Sequence, residues 1–124
     1  MNLVDSSGWL EYFANDKNAD FFSNTIEDTN NLIVSTINLY EVFKKVLQQK
    51  DENSALQAIA LMQQGKIVEV DSSIALHSAK QSIDLKLPMA DSIILTTAQV
   101  FNATLWTQDS DFTNIPGVKY IQKK

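Results

Sequence analysis

The chain has 124 residues, 44% of them hydrophobic and 20% charged, enough apolar material for one sizeable core and too much for wholesale disorder. The absence of cysteine and the single histidine, His77, exclude a disulfide framework and any zinc site built on thiolates or several imidazoles, so a bound metal would need oxygen ligands. Ten Lys and Arg against fifteen Asp and Glu leave a net charge of -5, which argues against a broad electrostatic nucleic-acid clamp but not against a nuclease, because a multi-carboxylate site contributes much of that charge itself.

In chain order, the sequence opens on MNLVDSS, with neither a basic leader nor an apolar run of signal-peptide length, and no later stretch approaches membrane-spanning length. The expectation is one soluble, cytoplasmic domain over residues 1–124 without membrane contact. Asn2-Leu3-Val4 reads as a short buried strand, followed by two helical segments, SGWLEYFAN and DFFSNTIED. Leu32-Ile33-Val34 is the second apolar run, and the stripe Leu39, Val42, Phe43, Val46, Leu47 has the spacing of an amphipathic helix. A further helix is predicted from Glu52 to Gln64, with Leu56, Ile59 and Ala60 inward and Gly65 as a left-handed C-terminal cap.

Ile67-Val68-Glu69-Val70 is predicted as the third strand, then SSIALHSAKQSI and ADSIILTTAQVF as helices, the second entered through Pro88. Thr104 to Thr107 forms strand four, and the Ile115-Pro116-Gly117 turn leads into an edge strand, Val118 to Ile121. Strands alternating with helices through short connections imply an α/β fold, a three-layer α/β/α domain around a mainly parallel sheet of four to five strands.

Parallel α/β sheets bind ligands at the carboxyl ends of their strands, so acids at that edge are the informative residues. Asp5 ends strand one, Asp109 lies just past strand four, Glu41 is in the first turns of the helix after strand two, and Asp91 starts the helix feeding strand four. Each has a plainer explanation: Asp5 as a helix cap, Glu41 as partner to Asn38 in a capping box, Asp91 as a complement to a helix dipole. Against these, Asp91 shares a helix side with the apolar Ile94 and Ala98. Converging carboxylates repel one another and demand a cation, and all-oxygen ligands point to Mg2+ or Mn2+, ions that prepare water to attack a phosphodiester.

The segments LVDSSGWLEYF, INLYEVFKK, LPMADSIILTTA and LWTQDSDF, in this order and spacing, resemble a PIN domain, and more narrowly a VapC-type ribonuclease toxin of a type II toxin-antitoxin system. They extend from Leu3 to Phe112, nearly the whole chain. The resemblance implies a metal-binding active site of Asp5, Glu41, Asp91 and Asp109, and Ser6 and Thr107 beside them are read as supporting hydroxyls. It further implies Mg2+- or Mn2+-dependent endoribonuclease activity leaving a 3'-hydroxyl and a 5'-phosphate, a homodimer, and inhibition by a cognate antitoxin that covers the site.

The T-x-D element selects Asp109 over Asp111, which is left as a turn or capping acid; Glu11, Asp28 and Asp84 are likewise read as surface or capping groups. His77 has no partner histidine, and Trp9, Tyr12, Phe13, Phe43 and Trp106 sit at core-like spacings. Lys44, Lys45, Lys80 and Lys86 flank the acids in sequence and are candidate phosphate contacts. Two rival readings are a receiver-type phosphoacceptor domain using Asp71, Thr107 and Lys119, and a catalytically silent PIN-like interaction module. The first leaves Glu41 and Asp91 without roles, and the second leaves the full set of acids unexplained.

Overall fold

A computed structural model describes residues 1–124. Strands β1 (Asn2–Val4), β2 (Leu32–Ser35), β3 (Lys66–Val68), β4 (Thr104–Thr107) and β5 (Val118–Tyr120) form one sheet. The helices are α1 (Ser6–Ala14), α2 (Ala19–Glu27), α3 (Thr36–Gln49), α4 (Glu52–Met62), α5 (Ser72–Leu85) and α6 (Met89–Val100), with short 3-10 turns at Thr29–Asn31 and Ser110–Phe112. All neighbouring strands are parallel, in the order β3-β2-β1-β4-β5. No helix is long and apolar enough to cross a membrane.

Alternation along the short central strands divides the core in two. Leu3, Ile33 and Leu105 point to one face, where they pack with Ile74 of α5 and Ile94, Leu95 and Ala98 of α6. Val4, Leu32 and Val34 point to the other, against Trp9 of α1, Phe22 and Ile26 of α2, Val42 of α3, and Ala58 and Met62 of α4. Because both faces are covered, the strands read as continuous apolar runs, and the three expected layers are formed.

Three local expectations are corrected. On α4 the buried residues are Ala55, Ala58 and Met62, whereas Leu56 and Ala60 are exposed. Apolar residues encircle this helix, so periodicity could not choose its inward face; packing on α3 and the sheet did. Gly65 does not adopt the left-handed conformation, which among glycines is confined to Gly117 at φ 83. Gly65 instead lets the backbone approach β2: a Cβ there would lie 3.1 Å from the Leu32 carbonyl oxygen. Strand β3 stops at Val68 rather than Val70, and the Val70 N–H donates to Thr36 Oγ1 at 3.3 Å instead of a ladder carbonyl.

After β3 the chain crosses to the far side of β1, so the direction of winding reverses between β1 and β4. The carboxyl ends of these two strands therefore flank a crevice at the topological switch point. The order also differs from the receiver-type arrangement, in which the third strand, not the fourth, lies beside the first.

Candidate active site

Asp5 follows β1 directly and is only 3% exposed. It caps α1, as its plainer explanation requires, and also reaches across the switch point. Oδ1 accepts the Gly8 N–H at 3.0 Å and the Ser7 hydroxyl at 2.7 Å, while Oδ2 accepts the Thr107 hydroxyl at 2.7 Å. Thr107 Oγ1 in turn accepts the Asp109 N–H at 2.9 Å, so one hydroxyl ties the ends of β1 and β4 together. Burial pushes the Asp5 carboxyl up to about 6; the bonds from Thr107, Ser7 and Gly8 oppose that rise, and the charge of Asp109 adds to it.

Asp109 begins the 3-10 turn, its Oδ1 accepting the Asp111 N–H at 2.9 Å. Across the crevice, half-buried Asp91 stands in the first turn of α6. One carboxylate oxygen from each of Asp91, Asp109 and Asp111 lies within 4.8 Å of the others, a grouping suited to a metal ion. Asp91 is pushed up to about 8, first by burial, then by the charge of Asp109, a hydrogen bond with Asp111, and the charges of Asp111 and Asp5. No lysine is among the groups acting on Asp5 or Asp91. Clustered hard oxygen donors, with no lysine among the charges that raise Asp91, fit a divalent ion such as Mg2+ or Mn2+.

Glu41 lies outside that trio. Its Oε1 accepts the Ser6 hydroxyl at 2.6 Å, and Ser6 Oγ accepts Asn38 Nδ2 at 3.0 Å. The capping box of α3 is built from Ser35 and Asn38, so the alternative role of Glu41 as a box partner does not apply. Its connection to the acids runs through Ser6, the neighbour of Asp5. Of the sequence-derived residues, Asp91 and Asp109 meet directly, Asp5 joins them through Thr107, and Ser6 and Glu41 are joined at their edge.

Two acids set aside on sequence grounds have other positions. Asp111 is exposed yet joins Asp91 and Asp109, because the 3-10 turn folds the D-S-D sequence back on itself. The signal available was the Asx-type turn that Asp109 initiates. Glu11 is buried at 7% exposure, where it accepts the backbone N–H of Asn18 and the side-chain N–H of Gln108. Asp71 caps α5 through the Ile74 N–H at 2.8 Å, Asp28 and Asp84 are exposed, and His77 is an exposed residue bonded to the Ser73 carbonyl. Trp9 is fully buried, Tyr12, Phe13, Phe43 and Trp106 are partly so, and Lys119 lies 4.7 Å above the Trp106 ring.

Two clefts meet at Ser7, Gln108 and Lys123, one of them reaching Asp109. A polar one of about 470 Å³ is lined by Ser7, Gln108, Asp109, Ser110, Tyr120 and Lys123. A larger one of about 500 Å³ shares Ser7, Gln108 and Lys123 with it and is walled by Leu10, Phe13, Val46 and Leu61, with Lys45 and Lys50 also lining it. Of the four lysines singled out by sequence, only Lys45 lines either cleft; Lys44 sits over the Tyr40 ring at 5.7 Å, and Lys80 and Lys86 are exposed at α5 and its C-cap.

The PIN domain family model matches residues 3–118. Among solved structures, a toxin-antitoxin complex from Klebsiella pneumoniae is similar at 25% identity and TM-score 0.82, covering 96% of each chain. VapBC2 from Rickettsia felis, bound to a DNA fragment from its promoter, has 16% identity and TM-score 0.74, covering 98% of this chain and 97% of the other. VapC20 from Mycobacterium tuberculosis, a toxin that cleaves the sarcin-ricin loop, has 14% identity and TM-score 0.77, covering 91% and 93%. At these identities the last two show the fold alone. No curated protein matches the sequence.

Proposed function

The chain belongs to the PIN domain family, and from that membership we propose that it is a divalent-metal-dependent endoribonuclease, the toxin of a toxin-antitoxin pair, acting as one domain in the cytoplasm. The observation that carries this reading is the convergence of Asp91, Asp109 and Asp111 oxygens within 4.8 Å at the switch point, next to buried Asp5. The likeness to the Klebsiella toxin-antitoxin complex supports the assignment to such a pair.

In this reading Asp5, Asp91 and Asp109 hold Mg2+ or Mn2+ directly or through water, and Glu41 completes the set. A divalent ion there would lower the pKa of a bound water and stabilise the charge that builds on the scissile phosphate. Thr107 keeps Asp5 and Asp109 in register by donating to one carboxylate and accepting from the other's backbone. Asp91 must lose its proton for the site to load, since its carboxyl is held up to about 8 by burial and its acidic neighbours. Glu41, held by Ser6 through Oε1, keeps Oε2 for orienting the attacking water. The polar cleft running from Asp109 past Tyr120 to Lys123 offers the RNA strand a path to these groups.

Partners follow from the same reading: an RNA substrate, a second copy of the chain in a homodimer, and an antitoxin that silences the acids. An arginine supplied by the antitoxin would pair with the carboxylates through bidentate hydrogen bonds. The test is cleavage of total RNA by the purified chain with Mg2+ or Mn2+, with chelator, and with Asp91→Asn. Cleavage that survives either chelation or the substitution, contaminating nuclease excluded, overturns the assignment.

A further inference from the structure

Gln108 occupies the middle of the Thr107–Asp109 element, and alternation from buried Thr107 should send its side chain to solvent. It is instead only 6% exposed, beside Glu11 at 7% and Asn18 at 2%. A polar group is retained in such a place when its hydrogen bonds are specified, and here both ends of the carboxamide are engaged. Gln108 Nε2 donates to Glu11 Oε1 at 3.0 Å, and Gln108 Oε1 accepts from Asn18 Nδ2 at 2.9 Å. The other Glu11 oxygen accepts the Asn18 backbone N–H at 2.8 Å, and Asn18 Nδ2 also donates to the Gln122 carbonyl at 3.1 Å. The triangle joins α1, the loop before α2, the end of β4 and the C-terminal segment.

Polarity runs one way around it. As a carboxylate Glu11 only accepts, so Gln108 must present its N–H2 there and its oxygen to Asn18. Asn18 must then present its own N–H2, and its Oδ1 is left buried without a partner. Turning the Asn18 amide to relieve that oxygen would set it against two other oxygens. Gln108 Nε2 also lies 3.5 Å from the Ser7 carbonyl, and Ser7 donates to Asp5. The clamp therefore touches the backbone on both sides of the switch point, at Ser7 two residues past Asp5 and at Gln108 between Thr107 and Asp109.

We propose that Gln108 is a positioning residue for the acid cluster: locked between Glu11 and Asn18, it fixes the Thr107–Asp109 backbone and so sets how tightly the carboxylates hold a divalent cation. The proposal rests on the metal-dependent reading of the site. Groups that orient metal ligands without touching the metal characteristically alter metal affinity about 10–100-fold when lost.

The experiment compares the full chain with Gln108→Leu, Glu11→Gln and the exchange Glu11→Gln/Gln108→Glu. Each is titrated with Mn2+, reading the melting temperature without RNA and, separately, cleavage rate and RNA KM. In the exchanged pair the amide at position 11 donates to the carboxylate at position 108, and both Asn18 bonds are kept. The hydrogen bonds among positions 11, 18 and 108 are thereby restored, with the direction across the 11–108 pair reversed, and only the 3.5 Å contact with the Ser7 carbonyl is lost. Both single variants should weaken Mn2+ binding about tenfold with RNA KM held within about twofold, and the exchange should recover most of the loss. Mn2+ affinity unchanged in the singles, or an exchange no better than they are, overturns the proposal; if Gln108→Leu does not fold, the other two variants decide. Wild type that binds Mn2+ but cuts no RNA defeats the nuclease reading and leaves the clamp decided by the melting titration, whereas wild type with no Mn2+ response defeats both.

Discussion

At the scale of single residues, the carboxylates differ by environment rather than by chemical type. Asp5 is held by three hydrogen bonds, whereas Asp91 is surrounded by acids, and the first stays near 6 while the second rises to about 8. A folded-state value above the ordinary 3.8 means that the folded chain keeps a proton the unfolded chain has released. The resulting stabilisation is full in acid and is lost as pH rises from about 4 towards about 8. A divalent ion favours the ionised acids, so Mg2+ should raise the melting temperature more at about pH 8.5 than at about pH 5.5. Equal shifts at both pH values in a thermal melt would contradict that electrostatic picture. Asp109, at the centre of the cluster, should matter more than exposed Asp111. We expect Asp109→Asn to lower kcat on RNA about 100-fold or more and Asp111→Asn about tenfold, and the reverse order would reassign the essential carboxylate.

At the scale of elements, the acids are aimed by helix starts and strand ends that are themselves fixed by packing. Helix α1 begins at Ser6 because Asp5 caps it, and it lies close on the sheet because Gly8 has no side chain. A Cβ at Gly8 would come within 2.6 Å of Val4 Cγ1 and 2.7 Å of the Phe22 ring, both fully buried groups with nowhere to move. Gly8→Ala should therefore destabilise the fold by about 1–3 kcal/mol, read from urea denaturation. Gly117→Ala meets no neighbour and costs only the strain of its φ of 83, about 1 kcal/mol. If Gly117→Ala were the more destabilising of the two, close approach would not be the reason for Gly8. The α4 helix shows the converse: with apolar residues all around it, its buried face was set by what it packs against.

At the scale of the whole molecule, a net charge of -5 makes the path of a polyanion depend on where the few cations stand. Lys45 lines the cleft that shares Ser7, Gln108 and Lys123 with the polar one, whereas Lys80 is exposed on α5. Lys45→Ala should flatten the salt dependence of RNA binding by about 0.7 in slope, and Lys80→Ala should leave it unchanged. A binding titration over a salt series measures both, and equal slopes for the two variants would show that no RNA phosphate reaches the Lys45 cleft. The sequence by itself determined the family, the alternating α/β order, strand positions to within two residues, and four acids at strand ends and helix starts, because short apolar runs, caps and the T-x-D element are local signals. Which acids meet was decided only by tertiary structure: crossing from β3 to β4 beside β1 brings Asp91, Asp109 and Asp111 together and leaves Glu41 at the edge. Burial of Glu11 and Gln108 was equally hidden, since the two lie 97 positions apart and no period in a chain encodes a hydrogen bond across that distance.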